Sequence, residues 1–165
     1  MTLPAFRIGL GMDAHRLAAN RTLVLGGVEI PYGHGLVGHS DGDVLLHALA
    51  DALLGAVAAP DLGSLFPSSD PRWQSASSRL FVEKGVQIVE DKGYRVVQVD
   101  AVIVAEKPHL SEHFDAMRGA VADMLGIPMD AVGIKAKTSD GMGFTGRQEG
   151  IFAQAIVMAQ RKEPS

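Results

Sequence analysis

"GHSDGDVLLHALADALLG", residues 38–55, sets two histidines and three carboxylates at the mouth and along one side of an apolar segment. Val44, Leu45, Ala48, Ala52 and Leu53 recur at helical spacing, so the segment reads as a helix with one face laid against a sheet. Ser40 as N-cap and Asp43 at the third helical position have the form of a capping box, which predicts a helix running to about Ala58. Asp41 and Asp43 suit the positive end of the helix dipole whatever the protein does. A charged His39 does not, which favours a neutral imidazole facing a ligand. His47 lies four residues after Asp43, on the same helical face. Asp51, four further on, reads as an orienter of His47 or an interface contact.

On the N-terminal side, residues 6–13 and 23–30 read as strands around an irregular polar segment, 14–22, followed by a glycine-rich connection. On the C-terminal side, the Pro, Ser and Asp-rich stretch 60–77 is longer than an inert connector usually is. A second helix follows to Lys92, with Leu80, Val82, Val86, Ile88 and Val89 as apolar positions and Gly93 as its stop. "YRVVQVDAVIVAE", residues 94–106, is β-branched and partly alternating, a strand broken at Pro108. Ser111 caps a helix to Leu125, closed by Gly126 and Pro128. Residues 132–138 form a strand, 139–150 a glycine-rich turn and 151–160 a last strand. This order predicts an α+β two-layer sandwich, one mainly antiparallel or mixed sheet with helices on one face, in preference to an all-parallel sheet.

The chain of 165 residues suffices for one hydrophobic core, so residues 1–165 are read as one domain. With 47% apolar and 21% charged residues it has the composition of a globular protein. No run reaches the length of a membrane span, and "MTLPAF" lacks a secretory start, so a soluble cytoplasmic protein is expected. There is no cysteine, so a metal must be held by His, Asp and Glu. A net charge of -4 without a basic, aromatic-rich block argues against nucleic acid as a partner, while leaving small anions open.

Asp13 and His15, two apart near the end of a strand, project from the same face. Together with His47 they have the composition of an open zinc site, with three protein ligands and a fourth position free. Each histidine taken singly is equally a residue satisfying a local hydrogen bond. "KAKTSDGMGFTGR", residues 135–147, gathers lysines, hydroxyls, exposed backbone N–H groups and Arg147, which suits phosphate. A plain β-turn between strands explains the same glycines. Asp140 in this cluster suits a divalent ion bridging phosphates.

"GMDAHRL", "LVLGGVEIPY", "HSDGDVLLHALADALLGA", "DLGSLFP" and "KAKTSDGMGFTGRQEGI", in this order over nearly the whole chain, resemble the 2-C-methyl-D-erythritol 2,4-cyclodiphosphate synthase family. The resemblance implies a homotrimer with active sites at the subunit interfaces, a zinc ion and a magnesium or manganese ion. The implied reaction closes 4-diphosphocytidyl-2-C-methyl-D-erythritol 2-phosphate into the cyclic diphosphate with loss of CMP, in non-mevalonate isoprenoid biosynthesis. It makes Asp13, His15 and His47 the zinc ligands and Asp140 the contact to the second ion. His39 and Thr138 stabilise the transferring phosphoryl group, and Ser40 helps to hold phosphate. Asp61, Leu62 and Gly63, with Phe66, Pro67, Ser68, Ser69 and Asp70, would bind the methylerythritol phosphate part. Ala105, Glu106, Lys107, Pro108 and His109, continuing through Leu110 and Ser111, would face Lys137, Thr138, Ser139 and Asp140 across the cytidine and diphosphate pocket. Phe144, Arg147 and Glu149 match positions lining the trimer axis, where the family has a cavity proposed to hold isoprenoid diphosphates.

Three residues depart from the family's pattern: Asp140 replaces a usual glutamate, His109 a usual lysine, and Ser68 a common acid. Two other readings use the same residues. One is a zinc-dependent phosphoesterase that activates water. The other is a non-enzymatic trimer binding a metal or a small effector.

Overall fold

The computed structural model describes residues 4–163. Five strands form one sheet: β1 (Phe6–Ala19), β4 (His34–Leu36), β5 (Tyr94–Val104), β6 (Val132–Lys137) and β7 (Gly150–Arg161), in the order β4-β1-β7-β5-β6. Only β5 and β6 run parallel, so the sheet is mixed and mainly antiparallel as expected. β1 is longer than the sequence suggested. The polar residues 14–19 continue the strand because β7 pairs it as far as Arg16, and β4 pairs residues 17–19. The predicted strand over 23–30 is instead a small separate hairpin, β2 (Leu23–Leu25) and β3 (Val28–Ile30). Gly26 and Gly27 make its two-residue turn at φ 60° and 76°.

The first helix, α1 (Val44–Ala56), is buried at every position but Asp51 and Gly55. Its N-cap is Asp43 rather than Ser40: the Asp43 carboxylate accepts the N–H groups of Leu45 and Leu46, while Gly42, at φ 76°, keeps residue 42 out of the helix. Ala48, Ala52 and Ala56 lie over the β1 row Gly9 and Gly11. A Cβ at Gly9 would stand 1.8 Å from the Ala52 carbonyl oxygen, and one at Gly11 2.0 Å from that of Ala48. Hydrogen in place of methyl is what lets the helix backbone rest on the strand.

The 60–77 segment contains α2 (Leu62–Leu65) and a 3-10 turn at Pro71–Trp73. In α3 (Arg79–Asp91) the buried residues are Phe81, Val82, Gly85 and Val89; Leu80, expected in the apolar face, is half exposed. Ser111 does not cap the next helix. It opens a 3-10 turn, 111–113, which leads into α4 (Phe114–Leu125), ended by Gly126 at φ 64°. A short helix, α5 (Gly143–Gly146), occupies the expected glycine-rich turn. The helices cover one sheet face. The other leaves Phe6, Ile8, Leu10, Met12 and Ile156 exposed at 53%, 70%, 50%, 54% and 44%. Among the described residues no helix is long and apolar enough to cross a membrane.

Candidate functional site

The β1 row that begins with Gly9 and Gly11 continues with Asp13 and His15, by the two-residue period of a strand. Since α1 is seated on the glycines, its first turns come level with these side chains. Asp13 Oδ2, His15 Nε2 and His47 Nδ1 then converge: the two nitrogens are 2.8 Å apart and each is 3.0 Å from the carboxylate oxygen. The two rings meet edge to face at 80°. Lone pairs packed this closely need a proton or a cation among them. A tetrahedral ion bonded at about 2.0–2.1 Å spaces its ligand atoms about 3.3–3.4 Å apart, within about half an ångström of this tripod. The donor set of two imidazoles and one carboxylate suits a divalent ion and leaves a fourth position open. Burial alone would raise the Asp13 carboxyl's pKa, but hydrogen bonds and charge from His15 and His47 outweigh it and hold the group well below the usual range.

Asp43 stays out of the tripod. Its buried carboxylate is held by four backbone N–H groups, those of Leu45 and Leu46 in α1 and of Gly26 and Gly27 in the hairpin turn, at 2.7–3.1 Å. Complete burial nevertheless lifts its pKa from the usual 3.8 to about 6, against the pull of those donors and with the help of the Asp41 charge. Nor does Asp51 orient His47. Its Oδ1 accepts the Leu62 N–H at 2.7 Å and so ties α1 to the first residues of the 60–77 segment. The far side of the His47 ring instead meets Ser40 Oγ and Ser78 Oγ, each 2.9 Å from Nε2.

A cavity of about 550 Å³ opens beside the tripod. His15, His47, His39 and Ser40 line one side, and Leu62, Gly63 and Phe66–Ser69 the other. Phe66, Trp73 and Phe81 form an aromatic wall with centroids 4.8–5.9 Å apart. Asp61 and Asp70 do not line it. Asp61 caps α2 through the Ser64 N–H, and Asp70 pairs with Arg72 at 2.6 Å. Trp73, Phe81 and Ser78 were missed from sequence. Trp73 is the chain's single tryptophan, set in a polar stretch of sequence, and that could have marked it.

The second predicted group assembles elsewhere. Ala105 donates its N–H to the Lys137 carbonyl at 2.9 Å. Glu106 accepts the N–H groups of Ser139 and Gly141 at 3.0 and 3.2 Å, so its carboxylate staples the two segments. Ser139 Oγ lies 2.7 Å from the buried Thr145 hydroxyl, and Lys107 Nζ 3.3 Å from His109 Nε2. Thr138 and Asp140 are exposed, with Asp140 at φ 55°. Leu110 is buried while Ser111 and Phe144 are exposed, and Arg147 is paired with Glu149. None of residues 105–111 or 137–140 lines the cavity beside the tripod. β7 and β5 intervene between β1 and β6, a separation of three strand spacings or roughly 14 Å.

Comparison with known proteins adds an independent observation. Residues 6–160 match the model of the YgbB family. A 2-C-methyl-D-erythritol 2,4-cyclodiphosphate synthase of Moorella thermoacetica is 52% identical over 157 residues, covering 95% of this chain and 96% of that protein. A solved 2C-methyl-D-erythritol-2,4-cyclodiphosphate synthase in a CDP-bound form superposes with a TM-score of 0.87 at 38% identity, covering 93% of this chain and all of its own. The bifunctional IspDF of Campylobacter jejuni gives a TM-score of 0.92 at 34% identity over 96% of this chain, which spans 43% of that longer protein.

Proposed function

The chain belongs to the YgbB family, and from that membership we propose that it converts 4-diphosphocytidyl-2-C-methyl-D-erythritol 2-phosphate into 2-C-methyl-D-erythritol 2,4-cyclodiphosphate and CMP. The observation that carries the reading is the Asp13–His15–His47 tripod, whose two histidines line an aromatic-sided cavity of about 550 Å³, in a chain of this family. In the reaction an oxygen of the 2-phosphate attacks the β-phosphorus. The bond from that phosphorus to the oxygen bridging the α-phosphate breaks, and CMP leaves with the electron pair. No water is consumed and no protein nucleophile is required.

Zinc held by Asp13, His15 and His47, and magnesium or manganese held near Asp140, would supply Lewis acidity and charge neutralisation. The chain's own part is positioning and electrostatics. His39, at the cavity wall, and Thr138 donate to charge developing on the transferring group, and Ser40 holds a phosphate oxygen. Leu62, Gly63 and Phe66–Ser69 enclose the methylerythritol phosphate. Phe66, Trp73 and Phe81 keep that side dry, which favours ring closure over hydrolysis and weighs against a phosphoesterase. The backbone of 105–111 and 137–140 reads the cytidine diphosphate.

The two halves belong to one active site when they come from neighbouring subunits of a homotrimer. Two observations support this: the distance between them within one chain, and the open apolar sheet face, of the kind that marks an interface. Phe144, Arg147 and Glu149 then fall near the axis, where they would face an isoprenoid diphosphate. Incubation with the cytidyl substrate, zinc and magnesium, followed by phosphorus NMR, should give cyclic diphosphate and CMP in equal amounts. Linear products alone would refute cyclisation.

A further inference from the structure

We propose that Ser78, itself held by Asp41, is a positioning residue that fixes the tautomer and orientation of His47; the proposal rests on the reading of His47 as a metal ligand. Nδ1 of His47 faces Asp13 and His15, and a nitrogen that holds an ion carries no proton. The ring's proton must then sit on Nε2, 2.9 Å from both Ser40 Oγ and Ser78 Oγ. A free serine hydroxyl would not enforce this, because it can equally donate to a bare Nε2 and stabilise the wrong tautomer. Ser78 is not free. Its hydroxyl hydrogen bonds Asp41 Oδ1, and its backbone N–H donates to Asp41 Oδ2 at 3.0 Å. With its hydrogen committed to the carboxylate, Ser78 Oγ has only lone pairs left, one facing the Ser40 hydroxyl at 3.2 Å and one facing His47, where only an Nε2–H can satisfy it.

Ser40 has a different part. It lines the cavity, takes the Gly42 N–H at 3.3 Å and lies 3.2 Å from Ser78 Oγ, so its own hydrogen can point to Ser78 or turn toward a bound ligand. Ser78 is fully buried and absent from the cavity lining, and it acts only through His47. Asp41 is anchored in turn, since its N–H donates to the Ala76 carbonyl at 3.0 Å. The end of the 60–77 segment therefore holds the group that orients the ligand.

The test is zinc affinity by chelator competition on the whole chain, with nitrogen-15 NMR of the histidines in the zinc-loaded protein. Wild type should bind zinc and show the proton of His47 on Nε2. Ser78→Ala should weaken zinc roughly ten- to a hundredfold and shift the His47 Nε2–H resonance toward that of a weaker hydrogen bond, and Ser78→Thr should restore both in large part. Asp41→Asn, which keeps the size of the side chain, should weaken zinc by about threefold or more, and it carries the test if Ser78→Ala fails to fold. Wild-type affinity and an unshifted His47 Nε2–H in a folded Ser78→Ala or Asp41→Asn, even with lowered heat stability, would overturn the proposal. Absence of zinc binding by the wild type would remove the metal reading itself.

Discussion

The tripod of Asp13, His15 and His47 and the turn bearing Thr138 and Asp140 sit at the same end of one sheet, yet one is closed by contacts within the chain and the other lies open. The first is half-buried, backed by Ser40 and Ser78, and carried on a strand and helix in backbone contact. The second is stapled by Glu106 but faces solvent. The difference teaches that a metal site needs ligand atoms fixed to fractions of an ångström before the ion arrives. On the proposed function, a phosphate pocket read by backbone groups can wait for a neighbouring subunit to complete it.

The largest expected effect breaks the closed half. His47→Ala should lose tight zinc binding and about a thousandfold or more in turnover while keeping its assembly, as checked by metal content, steady-state assay and sedimentation. Thr138→Ala strikes the open half. It should cost about a hundred- to a thousandfold in turnover and leave zinc content unchanged. Mixing these two inactive chains, unfolded and refolded together at equal amounts, probes whether the halves come from different subunits. Random trimers would recover about a quarter of wild-type activity, because each interface has one chance in four of pairing two intact halves. No recovery would mean that both halves act within one chain. Leu10→Glu, on the open apolar face, should dissociate the assembly in sedimentation and abolish turnover, while the tripod of the separated chain still binds zinc.

The smallest effect concerns the anchor of the closed half. The folded chain holds the Asp43 proton up to about pH 6, whereas an unfolded chain releases it near 3.8. The stability contributed by this raised pKa is complete below about pH 4 and is lost as pH rises through 6, an amount on the order of 2–3 kcal/mol. Denaturant unfolding of wild type and Asp43→Asn at matched protein concentration should show the wild type's advantage shrinking over that window. A constant gap would contradict the raised pKa.

The helix at 44–56, the sheet's mixed character and the grouping of Asp13, His15 and His47 were all legible in the sequence, because each rests on a local period: 3.6 for α1, two for Asp13 and His15. What stayed hidden depends on contacts distant in sequence. Ser40 and Asp43 both look like helix caps. Asp43 is chosen because the same carboxylate also receives the Gly26–Gly27 turn, 16–17 residues away. Residues 14–19 look irregular when read as polar loop. They are strand because β7 and β4 supply the pairing. Ser78 offered no signal, since its meaning lies in His47, 31 residues earlier. Leu80 and Phe81 both fit an amphipathic helix by composition, and the aromatic cluster over the cavity decides which one turns inward.

The glycine row of β1 works as a gauge for the candidate metal centre. With no side chain at residues 9 and 11, the strand itself sets the height of α1, and thereby the depth at which His47 hangs over Asp13 and His15. A single methyl at Gly11 must lift the helix by more than the roughly half-ångström within which such a site works. Retuning this centre for another ion therefore begins at two positions that touch no ion, where the quantity to adjust is the clearance between two backbones.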